Sequence, residues 1–209
     1  MVNRLKASEI VNLLKSLNAK EITKIERSDP QFKALEKLWN CTKNRKSFYK
    51  LVITNALLSY QLQMKGEDYW TKFSEFMCQG KTVEEFLKVY NKRLLNHKLK
   101  RLEKIKSCLN EELLDTVYDL EKLVVKLSSC LKQKKESKTI TFCAKMVRYA
   151  LLIAEGREPL NVWKIAMPID SRIAKISKSQ NFWRKVAELS EIPPLLIDGI
   201  LWNHLGNKR

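Results

Sequence analysis

The sequence predicts an all-α protein, and three observations carry that expectation. Apolar residues recur at helical spacing through nearly the whole chain. Glycine and proline number only 5 each, which argues against turn-rich sandwiches and barrels. No alternating apolar–polar run is long enough to demand a sheet. The β-branched stretches Val52-Ile53-Thr54 and Ile140-Thr141-Phe142 lie inside longer 3.6-residue patterns, so helix is preferred there too.

The elements follow in order. Ile10, Val11, Leu14 and Leu17 share one helix face. Asp29-Pro30 is a start signal: Asp accepts from orphan N–H groups, and Pro tolerates the first helical position. Phe32, Leu35, Leu38 and Trp39 point that helix inward. A third helix is expected over 47–62, with Leu51, Asn55, Leu58 and Leu62 on one stripe. Gly66 breaks the chain before Trp70, Phe73 and Phe76. Thr82-Val83-Glu84-Glu85 is a capping box, and a basic helix follows over 92–106. The 113–131 stretch is apolar enough for one core helix. A long helix is expected over 137–154, with Gly156 placed to end it. Residues 157–169, carrying Pro159 and Pro168, read as irregular, and short helices follow over 171–178, 182–189 and 194–205. The total is roughly eight to ten helices, given the usual 11–12 residues each.

Charge and composition narrow the function. The 209 residues fit one domain, or one domain in two lobes. Lys and Arg number 40 against 23 Asp and Glu, a net charge of +17 that favours a polyanionic partner: DNA, RNA or an anionic membrane surface. The longest apolar runs fall far short of the roughly 20 residues that span a bilayer. The first six residues lack an apolar core, so no signal peptide is read. The 5 cysteines, Cys41, Cys78, Cys108, Cys130 and Cys143, are scattered, odd in number and without a CxxC pair. Reduced thiols of an intracellular, cytoplasmic protein are the expectation. Gly-rich phosphate loops are absent. With His97 and His204 the only histidines, a His-centred triad or His-rich metal site is improbable. Any enzymatic chemistry must rest on Lys, Asp, Glu, Tyr or Cys, and a lysine nucleophile is a live option.

Four separated segments look wrong for a bland bundle. They are Asp29-Pro30-Gln31-Phe32; Asn55 to Leu62 continuing to Lys65-Gly66-Glu67-Asp68-Tyr69-Trp70; Ser137-Lys138-Thr139-Ile140-Thr141-Phe142-Cys143-Ala144-Lys145-Met146; and Met167-Pro168-Ile169-Asp170-Ser171-Arg172 with Phe182-Trp183-Arg184-Lys185 and Ile192-Pro193-Pro194 through Asp198 to Trp202. Together they resemble the archaeal 8-oxoguanine DNA glycosylases, the AGOG branch of the helix-hairpin-helix glycosylase superfamily. The resemblance implies an all-α helix-hairpin-helix glycosylase-like fold. Residues 1–209 would form a single domain whose two helical subdomains flank a base-binding cleft. It implies a bifunctional glycosylase/lyase that excises 8-oxoguanine through a lysine Schiff base and nicks the strand by β-elimination. The partner would be DNA containing oxidised guanine, engaged by a nucleoid-associated monomer without membrane, metal or cofactor.

The same resemblance implies roles residue by residue. Lys138 matches the nucleophile and Asp170 the catalytic aspartate. Gln31, Trp70, Phe142, Lys145, Asp198 and Trp202 match the base pocket. Two departures are visible: Leu196 stands where the family often has His, and residues 131–136 lack the glycine that lets a conventional hairpin approach a phosphate.

The residues also admit plainer readings. Lys138 could be one more solvated lysine. As a nucleophile it must be neutral near pH 7, which desolvation, neighbouring positive charge and a helix N-terminus all favour. Asp170 is an obvious helix cap. Phe142, Trp70 and Trp202 could be core. Gln31 could be surface, although its amide offers a purine edge both a donor and an acceptor. Asp198 could accept from a guanine-type base or neutralise a lysine. Lys138, Phe142 and Lys145 share one face at i, i+4 and i+7, and a Lys-Phe-Lys face suits a wet cleft better than a dry core. The rival functions are a non-catalytic basic helical DNA- or RNA-binding protein, and a scaffold for an acidic partner. The basic helix, with Lys92, Arg93, Lys98, Lys100, Arg101, Lys104 and Lys106, would be mostly a solvated face for non-specific phosphate contact.

Overall fold

The structure is a computed structural model that describes residues 7–206, with side chains as far as Trp202. The first six residues, on which the signal-peptide reading rests, lie outside the described residues, as does the side chain of His204. Among the described residues there are thirteen α-helices, two short 3-10 turns and a lone bridge between Asp119 and Leu160. The all-α expectation holds. The count exceeds ten partly because α8 (Glu111–Leu114) and α11 (Ile173–Ile176) are single turns.

The chain opens with α1 (Ala7–Lys15), which buries Ile10, Val11 and Leu14 as their spacing predicts. The next helix, α2 (Ala19–Ser28), escaped the sequence reading, although Asn18 and Glu21 form a complete capping box before it. Asp29 then caps α3 (Pro30–Thr42), its side chain accepting from the Gln31 N–H at 2.8 Å. Helix α4 (Arg45–Leu58) stops four residues short of the expected 47–62 end. An irregular loop follows, turning through Gln61 at φ 50°, until α5 (Gly66–Cys78) begins. The Thr82–Glu85 box starts α6 (Val83–Tyr90) as read. The basic helix α7 (Leu95–Cys108) starts late, because Leu94 sits in the left-handed region at φ 58°.

The predicted single helix over 113–131 is broken. After α8 a 3-10 turn, Asp115–Tyr118, leads to α9 (Leu120–Leu131). The Asp119 side chain accepts from the Glu121 and Lys122 N–H groups and so starts a fresh helix. Around it, Leu120 N–H donates to Leu160 O and Leu160 N–H to Tyr118 O, so backbone groups freed by the break are paired. The connection from α9 to α10 (Lys138–Glu155) has no glycine, and Lys132 takes the left-handed position at φ 52°. Gly156, at φ 62°, ends α10 as expected. Residues after it are irregular apart from a 3-10 turn, Val162–Lys164. Then come α11, α12 (Gln180–Ser190) and α13 (Pro194–Gly206).

Helix α10 is central: eleven of its residues from Ile140 to Leu151 are buried, and it packs on α3, α4 and α9 and reaches α13. Buried apolar side chains form two clusters. One gathers α3 to α10; the other joins α1, α12 and α13 through residues such as Leu14, Trp183 and Ile197. Leu196 touches both. No helix among the described residues is long and apolar enough to cross a membrane.

Two expectations are corrected. The cysteines are not all reduced: Cys41 bonds Cys78 and Cys108 bonds Cys130, leaving Cys143 free and buried. The reason is packing that spacing does not reveal. Helix α3 lies along α5 and α7 along α9, bringing the paired Cα atoms to 5.6 and 6.3 Å. On the chain-entropy account, closing loops of 37 and 22 residues stabilises the fold by about 3–4 kcal/mol each. The second correction is Lys98, which is fully buried rather than solvated. Its Nζ donates to Asn91 Oδ1 and lies 5.0 Å from the Tyr60 ring centroid. Asn91 Nδ2 donates in turn to Leu58 O and Tyr69 Oη, and Tyr69 donates to Asn55 Oδ1.

No carboxylate is among these partners, and burial pushes the Lys98 ammonium down to about 8. The unfolded chain therefore binds one more proton than the folded one between pH ~8 and ~10.4, and this group makes stability rise with pH across that window. In urea titrations the wild-type midpoint should climb from pH 8 to 10 relative to Lys98→Met. Parallel profiles for the two proteins would mean that Lys98 titrates like a solvated lysine.

Candidate active site

The Lys-Phe-Lys face of α10 runs down one wall of a cleft of about 490 Å³. Lys138, the first residue of the helix, is exposed at its mouth. Phe142, one turn in, is half-buried, and its ring lies 6.3 Å from that of Trp70 on α5, tilted by 59°. Trp70 is fully buried yet contributes to the cleft wall. Gln31 enters from the first turn of α3, and a Cβ on Gly66 would stand 3.5 Å from its amide nitrogen. Asp198 and Trp202, one turn apart on α13, also line the cleft. Asp170 completes the lining from the segment before α11. The structure thus brings all the sequence-predicted site residues, from Gln31 to Trp202, to one cavity.

The floor is electrostatic. Lys145 Nζ is buried, donates to Asp198 Oδ2 at 2.9 Å and stands 3.7 Å from Asp29 Oδ2. Tyr149, one turn further along α10, donates to Asp29 Oδ2 at 3.3 Å. Burial alone would drive the lysine pKa down. Asp198, Tyr149 and Asp29 outweigh it and hold the ammonium above the ordinary lysine range. Asp198 moves up as well, because burial disfavours its charge and the single lysine only partly offsets this. Lys145 is therefore held as a buried cation between two carboxylates. Its burial is explained by partners rather than by water, and Asp198 does neutralise a lysine while still facing the cleft.

Asp170 is the cap its sequence announces. Its Oδ1 accepts from the Arg172 and Ile173 N–H groups, both at 2.8 Å. Oδ2 takes no backbone bond and lies 3.6 Å from Arg172 Nε. The Arg172 guanidinium is stacked on Trp202, 3.8 Å from the ring centroid. At the mouth, Arg101 donates to Gln133 Oε1 and Thr139 Oγ1, fastening α7 to the turn before Lys138. It also lies over Tyr60, 5.6 Å from the ring centroid.

Sequence reasoning missed Asp29, Tyr149, Arg172 and the loop after α4, which contributes Ser59, Tyr60, Leu62 and Met64 to the cleft. Asp29 had been read only as a helix cap, and it is one; the same carboxylate also serves Lys145. Tyr149 lies four residues beyond Lys145, so the shared face was legible. Arg172 and the loop gave no periodic signal.

Comparison with known proteins places the chain in a family. The family model described as AGOG, N-glycosylase/DNA lyase, matches residues 11–209. An N-glycosylase/DNA lyase of Methanococcus maripaludis is 42% identical over 204 residues, covering 87% of this chain and 80% of its own. One from Thermococcus kodakarensis is 38% identical over 229 residues, covering 99% and 87%. The crystal structure of an 8-oxoguanine DNA glycosylase from Pyrobaculum aerophilum, complexed with 8-oxoguanosine, superposes with a TM-score of 0.79. It is 26% identical, over 94% of this chain and 86% of that one. With its model matching nearly the full length, the chain belongs to the AGOG family of N-glycosylase/DNA lyases.

Proposed function

We propose that this glycosylase/lyase removes 8-oxoguanine from DNA, using Lys138 as nucleophile and Asp170 as acid–base partner. One observation carries the reading: residues scattered from Gln31 to Trp202 line one cleft whose rim bears an exposed lysine. Family membership sets aside a non-catalytic binding protein. On this reading the two apolar clusters are two helical subdomains of a single domain. The protein works as a cytoplasmic, nucleoid-associated monomer without metal or cofactor.

The lesion nucleotide flips from the duplex into the cleft. Phe142, Trp70 and Trp202 supply aromatic surface, each stacked base face being worth ~1–3 kcal/mol, enough to offset unstacking. Gln31, Lys145 and Asp198 present donors and acceptors to the purine edge. 8-Oxoguanine carries an N7–H donor where guanine has an acceptor. An acceptor facing N7 gains a bond with the lesion and meets a lone pair with guanine. Asp170 Oδ2, free of backbone bonds, takes a proton from the Lys138 ammonium. The amine attacks C1′ and the base leaves with the glycosidic electron pair. The adduct becomes a Schiff base, and loss of a C2′ proton expels the 3′ phosphate by β-elimination. The same aspartate steadies positive charge developing on the sugar.

Lys138→Gln should abolish both base release and borohydride trapping on an 8-oxoguanine oligonucleotide, with duplex binding retained. Wild-type trapping by that variant would move the nucleophile elsewhere. Asp170→Asn should slow single-turnover excision by about 10²–10⁴-fold, while loss of cap quality changes stability by no more than about 1 kcal/mol. A large stability loss with a modest rate loss per folded molecule would leave Asp170 as a cap only. Asp29→Asn keeps an oxygen for the Gln31 N–H but removes a negative charge that helps raise Asp198. The acid limb of 8-oxoguanosine binding, where Asp198 protonates, should therefore move to lower pH. An unmoved limb would exclude Asp198 as the titrating acceptor.

A further inference from the structure

Among the described residues Arg172 has two side-chain partners, and both line the cleft. Its guanidinium carbon lies over the Trp202 ring, 3.8 Å from the ring centre, a close cation–π contact. Its Nε lies 3.6 Å from Asp170 Oδ2, the carboxylate oxygen without a backbone bond. All three residues line the cleft. The side chain is 42% exposed, so it can swing into solvent without opening either core cluster. Its backbone is held by the Asp170 cap, so the hinge is the side chain alone.

A guanidinium is a planar, delocalised cation that covers an aromatic face much as a heterocyclic base does. A purine stacked on Trp202 competes for the same surface. We propose that Arg172 is a displaceable plug, covering the Trp202 face in the empty cleft and yielding it to the incoming base. This rests on the reading of Trp202 as a stacking plate.

Two consequences follow from the geometry. The cost of displacement falls equally on every base, because it is incurred before any edge is read. The plug lowers occupancy by all bases and leaves the ratio between lesion and guanine to Gln31, Lys145 and Asp198. The second consequence concerns Asp170. When the guanidinium leaves Trp202 it also leaves Oδ2, freeing that oxygen for the Lys138 proton. Filling the base site and exposing the acid–base group are then a single motion.

The test is isothermal titration of 8-oxoguanosine and guanosine into wild type, Arg172→Ala and Arg172→Lys, each checked for an unchanged melting transition. Removing a cation–π contact of this kind should tighten binding of both nucleosides by about two- to thirty-fold, with their affinity ratio preserved. Arg172→Lys, which keeps the charge but loses the plane, should fall between. Unchanged or weaker binding in Arg172→Ala, with wild type binding normally, overturns the plug alone. So does a gain confined to one nucleoside, since it would make Arg172 an edge-reading contact. Failure of both wild type and Arg172→Ala to bind either nucleoside overturns the base-pocket reading, and the plug with it.

Discussion

A buried ammonium shared between two carboxylates governs the architecture around the cleft. Lys145 comes from α10, Asp29 from the start of α3 and Asp198 from α13. Removing one partner from a buried pair costs about 3–5 kcal/mol, since the other charge is left bare. The three elements are therefore locked at a common point. Asp29 also uses its other oxygen on the Gln31 N–H, so the same residue fixes a charge and aims a pocket side chain. One turn along α10, Arg148 repeats the device, donating to Glu26 of α2 and to Glu158 beyond α10. Both cations project from α10, which buries eleven of its residues, and each is matched by at least one acid more than fifty residues away in the chain.

This arrangement separates the two lysines of one helix face. Lys145 is deep and paired with Asp198 and Asp29, which favour its charged form. Lys138, two turns nearer the mouth, is exposed. The difference is one of depth along a single α10 wall. Arg101 ties α7 to the turn before Lys138, so α7 helps hold the first turn of α10 in place.

Much of this was legible in the sequence for physical reasons that can be named. Capping signals act locally, so Asp29-Pro30, Thr82–Glu85 and Gly156 marked real boundaries. Helical periodicity carried α4 and α10 through their β-branched stretches. The failures share a cause as well. The break at Asp119 depends on backbone bonds to Leu160, forty-one residues away, and the disulfides on which helices lie side by side. Lys98 is buried by contacts with Tyr60 and Asn91 that composition hides. The site residues were reached through resemblance to a family; periodicity alone joined Lys138 to Phe142 and Lys145, and Asp198 to Trp202. Asp29 escaped because it already had a sufficient local role as a cap, and Arg172 because it carried no periodic signal.

That overlap of local and functional roles also bears on how the cleft can change state. Asp170 Oδ1 is committed to the backbone and cannot turn without opening the chain before α11. Its Oδ2 is therefore held in one direction, with only the mobile Arg172 side chain against it. The rest of the wall is rigid: Trp70 is fully buried, and Lys145 is fixed from two sides. A cleft so constructed has few ways to respond to an occupant, and most of the response must occur at the Arg172–Trp202 contact. With rigid walls below and one exposed cation above, the part of the cleft free to answer an occupant is the Arg172 side chain rather than the helices.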